Sequence, residues 1–198
     1  MTLRAEQIRY RYPSAKEWVL EDISIEVGAG EVVGLVGTSG RGKSTLGKIM
    51  AGQISGYQGE VLLDGEALPA RGFSPVQLIY QHPELAVNPK WKLGRSLAEA
   101  GDYDDALRKE MGIRDDFLSR WPNELSGGEL QRICVMRALK PHTRFLIADE
   151  ISTMLDVITQ SQIWNIVLDY ARTHRIGILA ITHNEHLAKA ICTRTVQL

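Results

Sequence analysis

Residues 37–45 read GTSGRGKST, and the three glycines among these nine residues make the stretch a poor helix and a poor strand. It fits the spacing G-x-x-x-x-G-K-[ST], in which backbone N–H groups surround phosphate oxygens. A nearly continuous apolar run, EVVGLVG at 31–37, precedes it, as is typical of a strand covered on both faces. The segment STLGKIMAG at 44–52 follows with helical character, and a helix N-terminus favours anions. This order of strand, loop and helix predicts a cradle for a nucleoside triphosphate, with ATP as the expected ligand.

The residues of this loop have separate expected roles. Lys43 can reach the β- and γ-phosphates, Ser44 can ligate Mg²⁺, and Thr45 can hydrogen-bond phosphate oxygens. The remaining residues are expected to wrap their backbone around the phosphates: Gly37, Thr38, Ser39, Gly40, Arg41 and Gly42. A glycine-rich turn that meets the spacing by accident is the alternative, and the flanking strand and helix argue against it.

Length and composition are those of one ordinary globular domain, with 198 residues, 44% hydrophobic and 24% charged. The formal net charge of −1 gives no electrostatic reason to expect a nucleic-acid partner. No apolar run approaches the ~20 residues that cross a bilayer, so any membrane role is expected to depend on a partner. Cys134 and Cys192 lie far apart in the sequence and are interpreted as small buried apolar residues.

Apolar runs alternate with helical patterns along the chain. Strands are predicted at 3–10, 19–27, 31–37, 59–65, 76–80, 145–149 and 176–181. Asp156 is expected to cap a long helix, and a last helix is expected after Asn184. Buried strands that alternate with helices predict an α/β fold with a largely parallel sheet.

Between the strands at 76–80 and 145–149 the strand signal is lost, and residues 96–121 have helical spacing. We therefore predict a small helical subdomain at approximately residues 82–140, inserted into a single domain that spans residues 1–198.

Aromatic and basic side chains of this insertion have two possible interpretations. Trp91, Phe117 and Trp121 are expected to form its small core, with a binding platform as the alternative. The basic residues close to Trp91 are expected to form a solvated face, with contact to a membrane-domain loop as the alternative: Lys90, Lys92 and Arg95.

Two carboxylates end the buried strand FLIADE at 145–150. Asp149 is expected to hold Mg²⁺, directly or through water, and Glu150 to polarise an attacking water. Two solvated acids at the end of a strand are the alternative, which the glycine-rich loop makes less attractive.

The segment NELSGGELQR at 123–132 contains a helix start with an unusual composition. Ser126 and Glu129 fit a capping box, which needs no ligand. Gly127 and Gly128 cost helix stability in the first turn, so the capping box does not explain them. Paired glycines at a helix N-terminus are useful where a phosphate must approach the backbone closely.

The segment LSGGE at 125–129 resembles the signature motif of the ATP-binding cassette (ABC) ATPases. Residues 37–45 resemble the Walker A motif of that family, and residues 145–150 resemble its Walker B motif and catalytic glutamate. Residues 152–156 (STMLD) resemble the D-loop, which includes Asp156. The resemblance extends over nearly the whole chain.

Three single residues complete the resemblance. Gln81 matches the Q-loop glutamine, which in the family touches Mg²⁺ and senses the transmembrane partner. His183, in ITHN, matches the switch histidine that contacts the γ-phosphate, and this explains it better than a metal pair with His186 does. Tyr12 resembles the aromatic residue that stacks on adenine.

The resemblance implies an ATPase that uses ATP and Mg²⁺, with a P-loop NTPase core, an N-terminal antiparallel β part and a small helical insertion. Catalysis is assigned by it to Glu150 and His183. Nucleotide contacts are assigned to Tyr12, residues 37–45, Gln81, residues 126–129 and Asp156, and Mg²⁺ contacts to Ser44, Gln81 and Asp149.

The implied partners are a second ABC ATPase subunit, identical or different, transmembrane permease subunits and, indirectly, a substrate-binding protein. The implied location is the cytoplasmic face of the cell membrane, as a peripheral subunit.

The segments QHPELAVNP at 81–89 and LDVITQSQIWNIV at 155–167 are similar to segments of the ATPases of oligopeptide and nickel importers. An exporter ATPase, a soluble non-transport ABC ATPase and a small-molecule P-loop kinase are alternatives, although a kinase would lack the segment at 125–129.

The sequence departs from the family pattern in three places. Ile151 stands where a proline usually follows the catalytic glutamate, and Thr153 and Met154 replace the usual middle of the D-loop. Asn184 stands where an aspartate usually follows the switch histidine. We expect these changes to affect turnover and dimer contacts more than nucleotide binding.

Overall fold

A parallel sheet is formed by the apolar runs of the sequence. The computed structural model of the chain describes residues 1–99, 101–151 and 155–198. The strands of this sheet are β3 (Val32–Val36), β6 (Val76–Ile79), β7 (Phe145–Asp149), β8 (Gly177–Ile181) and β9 (Arg194–Gln197). Their order is β6-β7-β8-β3-β9, and neighbouring strands are parallel. All residues of β7 and β8 are buried, which explains why their sequences are continuously apolar.

A second, antiparallel sheet contains the N-terminal strands. Its members are β1 (Thr2–Tyr10), β2 (Leu20–Gly28), β4 (Gln58–Leu63) and β5 (Glu66–Ala67). Their order is β2-β1-β4-β5, with antiparallel pairing of neighbours. Because one face of this sheet packs on the core, β1 and β2 alternate buried and exposed residues over part of their length. The two sheets together confirm the predicted α/β fold with an antiparallel N-terminal part.

The helices lie between the strands, and several of them are consecutive between β6 and β7. Their bounds are α1 (Lys43–Met50), α2 (Leu93–Ala98), α3 (Asp105–Glu110), α4 (Asp115–Leu118), α5 (Gly127–Ala138), α6 (Val157–His174) and α7 (Glu185–Ile191). Short 3₁₀ turns lie at Pro83–Leu85 and Pro122–Glu124. Within the described ranges, no helix has the length and apolar character needed to cross a bilayer.

Two hydrophobic clusters hold these layers together. One contains side chains of α1 and of both sheets, such as Leu46, Ile147 and Leu3. The other joins α5, the last helix before β7, to the helices that precede it and to α6, for example through Ile133 and Trp164. The helical region is therefore packed on the parallel sheet through α5, which is the helix that begins at the signature segment.

The structure corrects part of the predicted aromatic core. Phe117 is buried, but Trp121 is 41% exposed and Trp91 is half-buried with the Arg95 guanidinium 3.9 Å from its ring centre. Aliphatic side chains fill the space instead: Leu93, Leu97, Leu107, Met111 and Ile113. At the surface the indole N–H of Trp91 and Trp121 can reach water, whereas the aliphatic side chains bury apolar area without a polar atom.

Three further features were not anticipated from the sequence. Strand β9 pairs with β3, although its sequence RTVQ has little strand character and most of it is exposed. Cys192 is only half-buried, whereas Cys134 is buried as expected. A fully buried Lys140 donates from Nζ to the carbonyls of Leu97 and Gly101, at 2.8 and 3.0 Å, and so ties the segment after α5 to the end of α2.

Gly177 provides a test of the close packing between the two sheets. A Cβ at this position would lie 2.5 Å from the Gly28 carbonyl oxygen and 2.5 Å from the Phe145 ring. We expect Gly177→Ala to lower the free energy of unfolding by about 1–3 kcal/mol, as overpacking does. Gly127→Ala is the control, because nothing lies within 4 Å of a Cβ there and a helical alanine is favoured over glycine by about 1 kcal/mol. Thermal unfolding of both variants checks this, and equal stability for Gly177→Ala would contradict the packing.

Candidate functional site

The glycine-rich loop connects β3 to α1 and holds Lys43 in place. Gly42 is the N-cap of α1 with φ 89°, and a Cβ there would lie 2.8 Å from the Val19 carbonyl oxygen, so only glycine fits. The Lys43 ammonium donates to the carbonyls of Gly37 and Thr38, at 2.9 and 2.8 Å. The lysine is 5% exposed, and its charge is therefore fixed within the loop at the start of a helix.

Ser44 and Asp149 form a pair of oxygen donors next to the loop. Ser44 lies in the first turn of α1, and its hydroxyl donates to Asp149 Oδ1 at 2.9 Å. Asp149 is buried at the carboxyl end of β7, and this burial raises its pKa, against the lowering effect of the bond from Ser44. A hydroxyl and a carboxylate are hard oxygen ligands, so these residues fit Mg²⁺.

Glu150 is held between two other residues that the sequence singled out. Gln81 Nε2 donates to Glu150 Oε2 at 3.1 Å, and His183 Nδ1 lies 3.0 Å from Glu150 Oε1. The backbone of Glu150 is left-handed with φ 47°, and its N–H donates to the Ile181 carbonyl at 3.0 Å. The structure thus brings Gln81, Glu150 and His183 together, although they are far apart in the sequence.

A cavity of about 400 Å³ is lined by the glycine-rich loop, Tyr12, Gln81 and Glu150. The Tyr12 hydroxyl lies 3.1 Å from the Thr45 hydroxyl, and the Tyr12 ring is 38% exposed and in edge-to-face contact with the Tyr10 ring. A lining that combines an aromatic side chain, a lysine and hydroxyl oxygens suits a nucleotide with its phosphates. Val19, the residue just before β2, also lines the cavity. No sequence motif marked it, because only the fold brings it next to the glycine-rich loop.

Some predicted site residues lie outside the lining of this cavity. Arg41 is exposed and lines a neighbouring cavity with Trp18 and Leu198. Asp156 is the N-cap of α6 and accepts from the N–H groups of Ile158 and Thr159 at 3.0 Å, as the capping prediction required. Residues 152–154 of the D-loop lie outside the described residues.

The signature segment has its own local structure. Ser126 Oγ accepts from Glu129 N–H at 3.3 Å, and Glu129 Oε2 accepts from Ser126 N–H at 2.9 Å, which confirms the capping box. These bonds lower the pKa of Glu129. None of residues 126–129 is among the described residues that line the 400 Å³ cavity. The signature segment therefore takes no part in lining that cavity.

The sequence favoured a switch role for His183 over a metal pair with His186. Among the described residues no cluster of three or more histidine, cysteine, aspartate or glutamate side chains is placed to hold a metal.

Known proteins resemble this chain over most of its length. The ABC transporter family matches residues 20–153. The nickel import ATP-binding protein NikE of Rhodospirillum rubrum is 32% identical over 224 residues, which cover 100% of this chain and 80% of that protein. NikE of Staphylococcus aureus N315 is 35% identical over 196 residues, covering 92% and 81%. The glutathione import protein GsiA of Salmonella typhimurium is 34% identical over 194 residues, covering 88% of this chain and 31% of that longer protein.

Solved structures show the same fold. A dimeric post-hydrolysis state of the cassette MJ0796 bound to ADP and Pi superposes with a TM-score of 0.83 at 20% identity, covering 99% of this chain and 94% of that one. An ATP-binding subunit of an ABC transporter superposes with a TM-score of 0.82 at 23% identity, covering 100% and 86%. The match over residues 20–153, the relatives above 30% identity and the shared fold show that this chain belongs to the ABC transporter family and is an ABC ATPase.

Proposed function

We propose that the chain is the ATP-hydrolysing subunit of an importer and works as a dimer of cassettes on the cytoplasmic face of a membrane, bound to permease subunits. The observation that supports the dimer is the position of residues 126–129 outside the chain's own pocket. A signature segment suited to phosphate that does not line the chain's own pocket can act on the nucleotide of a second cassette. The dimeric MJ0796 structure is consistent with this arrangement.

The roles of the pocket residues follow from their chemistry. Lys43 and the backbone N–H groups of the loop would bind the phosphates, and Tyr12 would stack on the adenine. Ser44, Asp149 and the Gln81 amide oxygen would hold Mg²⁺, which, when bound, supplies positive charge to the phosphate oxygens. Gln81 Nε2 already donates to Glu150, so Oε1 is its atom available for a cation.

Hydrolysis would be carried out by the groups around Glu150. Its carboxylate would accept a proton from the attacking water, and His183 would keep that carboxylate oriented through its 3.0 Å contact. Ser126 and the N–H groups behind it would stabilise the terminal phosphate across the dimer interface. Opening of the dimer after hydrolysis would move the helical subdomain at approximately residues 82–140, and a permease in contact with it would follow.

Complementation between two inactive variants tests the dimer. A head-to-tail mixed dimer of Lys43→Ala and Ser126→Ala subunits would contain one pocket with both defects and one with neither. We expect each variant alone to be nearly inactive and the mixture to hydrolyse ATP well above the sum of the two. A mixture no more active than its components, with both proteins folded, would refute the shared pocket.

Loss of the Ser126 hydroxyl should lower ATP turnover strongly and the free energy of unfolding only modestly. Ser126→Ala removes the capping bond from the Glu129 N–H and the bond that the hydroxyl donates to Glu129 Oε2, and is expected to lower the free energy of unfolding by about 1 kcal/mol. Asp104→Ala is the matched control, since Asp104 caps α3 through Ala106 and Leu107 and takes no part in the proposed site. We expect similar stability losses but a fall in ATP turnover only for Ser126→Ala, measured by phosphate release. Unchanged turnover would contradict a phosphate contact by Ser126.

Nickel complexes or oligopeptides are the cargo we propose, on the basis of the relatives named nickel import proteins. Uptake of labelled nickel and of a labelled dipeptide by cells lacking this chain tests the proposal. We expect one of the two to be restored by the chain and not by its Glu150→Gln variant. Failure of both, with the permease co-purifying, would reject these cargoes but not the importer.

A further inference from the structure

The turn between β1 and β2 carries two residues that line the nucleotide cavity, Tyr12 and Val19. Residues 11–19 belong to no regular strand or helix. Two backbone hydrogen bonds close the turn: the Val19 N–H donates to the Tyr10 carbonyl and the Ala15 N–H donates to the Tyr12 carbonyl, both at 2.9 Å. Because there is no ladder or helix here, these bonds and the side-chain contacts of the turn set the position of Tyr12.

Three side chains at the base of the turn form what is here called the arginine–tryptophan cluster: Arg9, Arg11 and Trp18. The guanidinium carbons of Arg9 and Arg11 lie 4.9 and 5.3 Å from the centre of the Trp18 ring. The contact is attractive, because the face of an indole ring carries partial negative charge. Arg11 Nη1 also donates to the Lys16 carbonyl at 3.4 Å, so the cluster joins the two sides of the turn.

The arginines and tyrosines of this segment lie on opposite faces. Successive residues of an extended chain point to opposite sides, so Arg9 and Arg11 share one face and Tyr10 the other. The burial agrees, since Tyr10 is 7% exposed and both arginines are exposed. Tyr12 lies on the side of Tyr10, with the two ring centres 5.0 Å apart. The cluster therefore holds the turn from the side opposite to the one that presents Tyr12.

The Tyr12 ring must be held in place if it is to receive a nucleotide base. A ring that is mobile before binding loses that freedom when it stacks, and the loss lowers affinity. Trp18 is not among the described residues that line the nucleotide cavity, so its effect on a nucleotide passes through the turn.

We infer that Trp18, with Arg9 and Arg11 against its ring, is a positioning residue for Tyr12 and hence for the base of the nucleotide. The contacts of the cluster given above lie within residues 9–18, whereas the phosphates are proposed to bind residues 37–45. Loss of the cluster should therefore weaken the binding of the base and spare that of the phosphates. The inference rests on the proposed function, in which Tyr12 stacks on adenine.

Calorimetric titration with two ligands separates the base from the phosphates. ATP and inorganic tripolyphosphate, each with Mg²⁺, are titrated into the Glu150→Gln protein, so that ATP is not consumed, and into the same protein with Trp18→Leu. We expect Trp18→Leu to raise the Kd of ATP by about 3–10-fold and to leave the Kd of tripolyphosphate within about twofold. Tyr12→Leu, which removes the ring itself, should raise the Kd of ATP by about 10–100-fold.

Trp91→Leu is the matched control. Trp91 is also half-buried with a guanidinium on its ring, that of Arg95 at 3.9 Å, but it lies in the helical region. It should leave the affinity for both ligands unchanged. Trp18→Phe keeps an aromatic face for the arginines and should recover most of the ATP affinity.

The two arginines provide an independent variant. Arg9→Met together with Arg11→Met should raise the Kd of ATP about as much as Trp18→Leu does, and adding Trp18→Leu should cause little further loss, because the three residues act as one unit. If Trp18→Leu does not fold, as judged by thermal unfolding, this double variant carries the test.

Steady-state kinetics gives a second readout in the chain that retains Glu150. Trp18→Leu should raise the KM for ATP by about 3–10-fold and leave kcat within about twofold, since a lost binding contact that is equal in ground and transition states affects KM alone. A general loss of structure would lower kcat as well.

The outcomes separate the inference from the proposed function. Unchanged ATP affinity in folded Trp18→Leu, alongside a loss in Tyr12→Leu, would overturn the positioning role and leave the pocket standing. Equal weakening of ATP and tripolyphosphate would also overturn it, because the cluster would then act on the whole site. Full ATP affinity in Tyr12→Leu would reject the base contact of the proposed function and the inference with it.

Discussion

Replacement of Glu150 by glutamine is expected to lower ATP turnover by about 10²–10⁴-fold while ATP still binds. Glutamine has the shape of glutamate, so its amide can keep a bond to Gln81 through the carbonyl oxygen and face His183 Nδ1 through the NH₂ group. What is lost is the ability to accept a proton from water. The binding residues of the loop are unchanged, and ATP affinity should therefore stay within about twofold, far below the tenfold change that 1.4 kcal/mol produces.

Phosphate release and nucleotide titration under the same conditions measure the two quantities for Glu150→Gln. Glu185→Gln is the control, because that side chain is 78% exposed and pairs only loosely with Lys189, at 3.9 Å. It should leave turnover unchanged. Turnover by Glu150→Gln close to that of the unaltered chain would show that another group activates the water.

Replacement of Lys43 by alanine is expected to weaken ATP binding by about 10–100-fold. A hydrogen bond to a charged group contributes about 1.5–3 kcal/mol, and each 1.4 kcal/mol is a factor of ten in affinity. The effect has a second source in this chain. The Lys43 ammonium bonds to the carbonyls of Gly37 and Thr38, so its removal also leaves the phosphate-binding loop without an internal support.

Equilibrium binding of a fluorescent ATP analogue checks the Lys43→Ala prediction. Lys189→Ala serves as the control, since Lys189 is 76% exposed on α7. Lys43→Arg keeps the charge but places it on a longer, planar group, and we expect it to recover only part of the affinity. Undiminished binding by a folded Lys43→Ala protein would remove the glycine-rich loop from the proposed pocket.

The local structure around several motifs was fully predictable from the sequence. The capping box of Ser126 and Glu129 and the cap formed by Asp156 each involve residues within three positions, so no tertiary contact is needed to form them. The strand at 145–149 was also placed correctly, because a fully buried strand is continuously apolar. The indole rings of the helical region were placed wrongly, because composition alone does not tell which aromatic side chain finds a buried place.

The sequence by itself determined the fold class, the phosphate-binding loop and the local helix caps, because each depends on short-range patterns of size, polarity and backbone freedom. Only the tertiary structure decided that Gln81, Glu150 and His183 meet, that β9 completes the parallel sheet, and that α5 is bonded through Arg137 to the Ala86 carbonyl. Those contacts join residues far apart in the chain. They depend on how the strands are ordered and how the carbonyls of one segment face the donors of another, and no local pattern encodes that geometry.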